Sequence, residues 1–339
     1  MRVKSIVGLL AGCLLIPLLP APAMAQADFY KGKTVTVVIG ARLTGSLSIA
    51  AQLVTRYLGK YIPGNPTVIL RQMPGGAHLV ASGHVYNVAE PDGLTILAAN
   101  PNIAMAELAK MSTVRFDINK FQWLGSSGTD GSMFSIRADL PYKTFQEFMA
   151  SGKELVAGTT GPGSNAHDMP LLLKEFAGAN LKIVSGYAAN GDILLAVERK
   201  EADAWSALGT TIKLGIDRGA VRALVRSRTS VPGFDHLPID EELTKDPTGK
   251  ALMAIRGIPQ SIGRPFAVRP EVPTDRVRML REAFAKAIKD PEFIAEGKKA
   301  KIDMAFITAD FVTKAFQEMM KQPPQVLDAM NKYLKVGGG

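Results

Sequence analysis

The stretch Lys33–Gly76, KTVTVVIGARLTGSLSIAAQLVTRYLGKYIPGNPTVILRQMPGG, decides the fold class. Thr34 to Ile39 is a short β-branched run with no polar alternation, the pattern of a strand buried on both faces. A glycine-bearing turn, GARLTGS, follows it. Ile49, Leu53, Tyr57 and Leu58 then recur at helical spacing through SIAAQLVTRYLGKYI. Gly64-Asn65-Pro66 breaks that helix, and Thr67 to Arg71 reads as a second strand. Met73-Pro74-Gly75-Gly76 turns it into a helix expected over Ala77 to Asn87, and PDGLTILAA supplies a turn and a third strand. Strand, glycine turn, helix, strand is the grammar of an open, mostly parallel sheet flanked by helices, an α/β fold.

Working outward, the same grammar returns in mid-chain. KELVAG reads as a strand, TTGPGSNAH as a turn, DMPLLLKEFAGA as a helix, LKIVSGY as a strand and DILLAVERK as a helix. Gly45 and Gly75 are 30 residues apart, and Gly163 and Gly191 are 28 apart. That near-equality predicts two similar lobes rather than a short-period repeat. Beyond about Arg256 the pattern is helical. TDRVRMLREAFAKAIKD puts Val277, Leu280, Phe284 and Ile288 on one face behind Thr274 as N-cap. TADFVTKAFQEMMK and QVLDAMNKYLK predict two further helices, with Gly337 to Gly339 a frayed tail.

The 339 residues, 47% hydrophobic and 21% charged, fit a globular chain of two domains. At the start, Arg2 and Lys4 precede the apolar run Ile6 to Leu19, and Ala23-Met24-Ala25 supplies a small-x-small exit. Residues 1–25 therefore read as a secretory signal peptide cleaved after Ala25, making the mature protein exported and periplasmic. Leu10-Ala11-Gly12-Cys13 is similar to a lipobox, but the apolar run continues past it, so lipid anchoring at Cys13 is the lesser expectation. Cys13 is the single cysteine, which excludes disulfides and thiolate metal sites from the mature chain.

Loss of Arg2 and Lys4 with the leader takes the formal charge from +9 to +7. The basic residues are scattered, without the dense tract and interleaved aromatics of a nucleic-acid binder. They read either as a solvated basic surface or as mild steering of an anionic solute toward a cleft. His78, His84, His167 and His236 form no metal-ligand spacing, and no GxSxG, Walker or GxGxxG motif occurs. The carboxylates Asp240-Glu241-Glu242 read as a solvated loop. No catalytic constellation, metal or cofactor is expected.

Glycine turns instead open onto helix starts in both halves, at Gly45-Ser46, Gly75-Gly76, Gly163-Ser164 and Asn190-Gly191. Each would present backbone N–H groups at the positive end of a helix, where an anion can sit. An isolated turn of this kind is ordinary βα-loop geometry; its recurrence in two lobes favours a ligand crevice. Thr44, Ser46, Ser48, Thr129, Ser164, Tyr187 and Asn190 offer side chains for it.

In this order the motifs resemble the periplasmic solute-binding receptors of tripartite tricarboxylate transporters, the group that includes the Bordetella uptake gene products. The resemblance runs from about Lys33 to the last helix. It rests on KTVTVVIG…TGS…QMPGG, PDGLTIL, GTTGPGSNAHDMPLLLKEF, RGAVRAL and VRPEVPTDRVRMLREAFAKAIKDPEF. Family members carry an Asp after the glycine pair and an Arg a few residues later, where this chain has Ser48 and Gln52. That is either a swapped intramolecular pair, neutral for ligand, or a changed ligand preference with Ser48 on the pocket wall.

The resemblance implies a type II periplasmic-binding-protein fold whose lobes close about a hinge on a small organic carboxylate or dicarboxylate. Residues 26–126 with 257–339 would form lobe one and residues 127–256 lobe two. Thr44, Gly45, Ser46 and Ser48 would bind from lobe one, Gly163, Ser164, Tyr187 and Asn190 from lobe two, with Thr129 at the crossover. His167 is expected to be packed at its helix start. A monomer delivering ligand to large and small membrane subunits is implied. A sensing partner of a signalling system and an exported enzyme on the same scaffold are the alternatives.

Overall fold

The computed structural model describes residues 29–41 and 46–334. The expected signal peptide, Cys13, Thr44, Gly45 and the glycine tail lie outside the described residues.

In the first part of the chain, β1 (Thr34–Ile39) leads to α1 (Ser46–Leu58), β2 (Thr67–Gln72), α2 (Leu79–Asn87), β3 (Thr95–Ala98), α3 (Ile103–Leu108) and β4 (Gln122–Ser126). The middle contributes β5 (Ser132–Arg137), α4 (Phe145–Ser151), β6 (Leu155–Thr159), α5 (Asn165–Ala177), β7 (Leu181–Ser185), α6 (Asn190–Glu198), β8 (Ala204–Leu208), α7 (Gly209–Asp217) and β9 (Val221–Arg226). The remainder adds α8 (Pro247–Ile262), β10 (Pro265–Val268), α9 (Thr274–Ile288), α10 (Pro291–Lys299), α11 (Ala309–Met320) and α12 (Pro324–Tyr333).

The strands form two five-stranded sheets, ordered β2-β1-β3-β10-β4 and β7-β6-β8-β5-β9. In the first, β1 runs parallel to β2 and β3, while β10 runs against β3 and β4. In the second, β6 runs parallel to β7 and β8, while β5 runs against β8 and β9. Each sheet is thus mixed, four strands one way and one the other, and the two share one topology. The reversed strand of each sheet is the one the chain lays down on crossing between them. Crossing after β4 makes β5; returning through α8 makes β10.

Burial explains the strand sequences. Val35, Val37, Val38 and Ile39 of β1 are buried on both faces of the sheet, between α1 and α9 on one side and α2 and α11 on the other. On α1 the spacing of Ala50, Ala51, Leu53, Val54 and Leu58 turns one apolar stripe inward. One apolar cluster passes between the lobes. It runs from Trp123 and Phe316, whose rings lie 4.7 Å apart, through Met253 and Ile255 of α8 to Leu173 and Phe148.

Two helix starts differ from the expected ones. The helix read from Ala77 begins as a 3₁₀ turn over Gly76–His78, and His78 takes φ 78 before α2 starts at Leu79. The end of β1 presses on this turn: a Cβ at Gly40 would lie 2.7 Å from the His78 Cα, so only glycine fits there. Thr274 is the first residue of α9 rather than its cap, because the Arg276 and Val277 N–H groups both bond to the Pro273 carbonyl at 3.0 Å.

The crossovers touch each other. The Ser127 N–H donates to the Arg264 carbonyl and the Arg264 N–H to the Gly128 carbonyl, both at 3.1 Å. Gly263 has φ 72, and a Cβ there would fall 1.9 Å from the Gly128 carbonyl oxygen. The expected second crossover, Arg256–Gly257, lies within α8, and the chain joins the first sheet only at Pro265. No described helix is long and apolar enough to cross a membrane.

Candidate ligand site

The carboxyl ends of β1, β2 and β3 face those of β6 and β8 across a crevice, the position where open α/β sheets bind ligands. The crevice holds two connected chambers. The one beside the crossovers, termed inner for that position, has a volume of about 150 Å³ and is bordered by Ser46 and Leu47 at the start of α1, Asn100-Pro101-Asn102 between β3 and α3, Asn165 of α5, Leu208, and Asp130, Gln260, Gly263 and Arg264. The outer one, about 480 Å³, shares Asn100, Asn102, Asn165 and Pro259 with it. It adds an apolar side of Leu79, Ile103, Met105, Ala106 and Met111, and a polar side of Gly163, Ser164, Asp168 and Arg256.

Local sequence positions these groups. Ser164 caps α5: its Oγ accepts the His167 N–H at 3.3 Å and donates to the Gly161 carbonyl at 2.7 Å. Asn100 holds the turn into α3 by accepting the Asn102 N–H at 2.9 Å. Asn102 stands at the helix cap without making a side-chain capping bond.

A buried polar chain ties α8 to this site. Arg256 donates to Asp240, to Ser132 Oγ at 2.9 Å and to Asn165 Oδ1 at 3.4 Å. Gln260 accepts the Ser132 N–H at 3.1 Å and donates to Asn165 Oδ1 at 2.8 Å. The Asn165 carbonyl oxygen is therefore engaged from behind. Arg264, on the border of the inner chamber, is 3% exposed. It donates to the Asp303 carbonyl and lies 3.9 Å from the Asp130 carboxylate, while its Nε and Nη1 have no hydrogen-bond partner among the described residues. Burial pushes the Asp130 carboxyl up, opposed by Arg264 and by the Thr210 hydroxyl.

On the outer chamber, Asp168 Oδ1 accepts the Gly163 N–H at 3.0 Å and meets His167 Nδ1 at 2.9 Å. Burial raises the Asp168 carboxyl, and the bonds from His167 and Gly163 with the nearby Arg256 charge oppose that rise. His167 is itself buried at the helix start. No group of His, Cys, Asp and Glu suited to a metal occurs among the described residues.

Of the sequence-predicted residues, Ser46 borders the inner chamber, and Gly163 and Ser164 the outer one. Ser48 is fully buried in α1 and Gln52 donates to its carbonyl, so neither borders a chamber. Thr129 lies in the crossover against Gly263. Tyr187 packs with the second lobe's own apolar cluster, and Asn190 accepts the Trp205 indole N–H at 3.2 Å. Thr129, Tyr187 and Asn190 border neither chamber. Asn100, Asn102, Asn165, Arg256, Gln260 and Arg264 were not anticipated. The Asn-Pro-Asn after the third strand was the available signal, since such a triplet opens a helix with an Asx turn.

Residues 58–332 match the family model described as tripartite tricarboxylate transporter family receptor. The chain belongs to that family. Its fold is shared with a TctC solute binding protein from Polaromonas, solved without ligand, at TM-score 0.72 and 18% identity over 89% of this chain and 99% of that one. It is shared with MatC from Rhodopseudomonas palustris, solved with malate, at TM-score 0.60 and 18% identity over 88% and 98% of the two chains. A further R. palustris protein, solved with adipate, matches at TM-score 0.63 and 16% identity over 88% and 97%. The family is one of solute-binding receptors, not enzymes.

Proposed function

We propose that this receptor encloses a small organic carboxylate between its lobes and delivers it, as an exported periplasmic protein, to the membrane subunits of a tripartite transporter. The observation that carries the reading is that one crevice is bordered by helix starts and amide side chains of both sheets: Ser46, Asn100 and Asn102 from one, Ser164 and Asn165 from the other. The family match and the malate and adipate held by the two R. palustris proteins support it.

Magnitudes favour many small contacts. A helix terminus contributes about 0.3–1 kcal/mol to a nearby anion. Desolvating a carboxylate costs several kcal/mol. Directed hydrogen bonds to a charged acceptor, worth about 1.5–3 kcal/mol each, must supply the difference. A ligand in contact with both walls favours the closed arrangement, and the paired crossovers near Ser127 and Arg264 are where a hinge would bend. The lobes would comprise 26–126 with 257–339, and 127–256.

The test is thermal denaturation of the mature protein against mono-, di- and tricarboxylates, sugars, amino acids and metal ions. A carboxylate should raise the Tm in proportion to the logarithm of its concentration. A shift with another solute class and none with carboxylates would overturn the proposal.

A further inference from the structure

We infer that this receptor selects an amphiphilic monocarboxylate, its carboxylate in the inner chamber and an apolar chain or ring in the outer one, over a dicarboxylate of equal length. The inference rests on the carboxylate-receptor reading and narrows it.

The two chambers differ in the chemistry they offer. Around the inner one stand Ser46, Asn100, Asn102, Asn165 and Gln260, together with Asp130, whose carboxylate is faced by the buried Arg264 at 3.9 Å and takes the Thr210 hydroxyl, while Arg264 keeps two nitrogens without a partner. Its volume of about 150 Å³ suits a carboxylate and a few attached atoms, not a whole ring system. The outer chamber is about three times larger and is bordered by five apolar side chains, with Thr113 beside them. Ile103, Met105 and Ala106 come from one turn of α3, flanked by Leu79 and Met111. Two methionines there make a wall that adapts to rings and chains alike.

Opposite that wall is Asp168. Its carboxyl is already held by Gly163 and His167, so a second ligand carboxylate would face an acidic group across the chamber. Among the described residues bordering this chamber, Arg256 is the one cation; its terminal nitrogens are committed to Asp240, Ser132 and Asn165, its Nε is buried without a partner, and its charge is balanced by Asp240. A second carboxylate would be desolvated against methionines with no counter-charge to receive it. Selectivity thus comes from what the outer chamber rejects as much as from what it attracts.

Adipate and hexanoate share a six-carbon chain and differ in the second carboxylate, so titration calorimetry of the mature protein with this pair reads the inference directly. Hexanoate should bind at least tenfold more tightly than adipate, and phenylacetate should group with hexanoate while succinate groups with adipate. Met111→Lys, which brings a cation to the half-buried rim of the outer chamber, should narrow or invert the hexanoate–adipate ratio. Asp168→Asn, which keeps an acceptor for the Gly163 N–H, should raise adipate affinity relative to hexanoate by at least threefold. Adipate or succinate binding as tightly as the monocarboxylates would overturn the inference and leave the receptor reading standing. Binding by a non-carboxylate solute alone would overturn both.

Discussion

Arg256 of α8 and Asp240 of the preceding 3₁₀ turn form an ion pair behind the crevice in which the two side chains are only 4% and 2% exposed. Burial raises the Asp240 carboxyl while Arg256, its first counteracting influence, holds it down. The sequence alone suggested a solvated acidic loop at this place. Removing one partner strands a charge without water. Asp240→Ala should lower stability by about 3–5 kcal/mol, and Asp240→Leu with Arg256→Met should recover most of that loss. Urea unfolding of the two variants beside the parent measures both values. A loss under 1 kcal/mol in the single variant would contradict the assignment.

Gly263 separates the cost of space from the cost of backbone conformation. Its missing Cβ would overlap the Gly128 carbonyl, whereas Gly233, at φ 89, has nothing within 4 Å of that position. Gly233→Ala should cost about 1–2 kcal/mol, the price of a left-handed alanine. Gly263→Ala must also part the two crossovers, so it should cost more than about 3 kcal/mol or abolish soluble expression. Melting temperatures of the pair decide the point.

Glu107 gives a pH signature. Burial pushes its carboxyl from 4.5 up to about 7, against the stabilising N–H of Ile118 at 2.8 Å. The folded protein therefore binds this proton more tightly than the unfolded chain does. Its contribution to stability is greatest below pH 4.5, declines as pH rises toward about 7, and is constant above that. Glu107→Gln should remove this slope, so its Tm advantage over the parent should grow between pH 5 and pH 8. An unchanged difference across that range would rule the buried carboxyl out.

Asn165 stands between both chambers, with its carbonyl oxygen held by Gln260 and Arg256. That leaves its amide N–H₂ to address a ligand. Asn165→Ala should weaken carboxylate binding by about 10- to 100-fold, the loss of one bond to a charged acceptor. Asn190→Ala, which loses a contact to Trp205 inside the second lobe, should change affinity less than threefold. Calorimetry on the two variants compares them.

The sequence made the first three strands and both βαβ halves readable because buried parallel strands such as Thr34–Ile39 are continuous apolar runs between glycine turns. β4, β5 and β8 were not readable in the same way. Ser126, Ser132, Ser135 and Ser206 sit fully buried within them, where serine suggests a loop. Hydroxyl bonds make this tolerable: Ser135 donates to the Trp205 carbonyl at 2.8 Å and Ser206 to the Met133 carbonyl at 3.0 Å. At the site, glycine turns pointed to Gly163 and Ser164, since helix starts announce themselves locally. Arg256, Gln260 and Arg264 reach the crevice from a helix and the turn that follows it, about 90 residues later in the chain than α5. No local pattern encodes that meeting, which exists only once the two crossovers have closed.

The exchanged strands also fix an order of completion. Every strand of the second sheet lies between Ser132 and Arg226, whereas the first sheet waits for Pro265–Val268 to fill the gap between β3 and β4. The half begun earliest is finished last, and a chain emerging from its amino end must carry β4 without a sheet partner, and β3 with one edge open, for some 140 residues. Such distant pairing slows folding and leaves an adhesive edge in the meantime. Closure over that distance favours synthesis of the whole chain before the first sheet is completed.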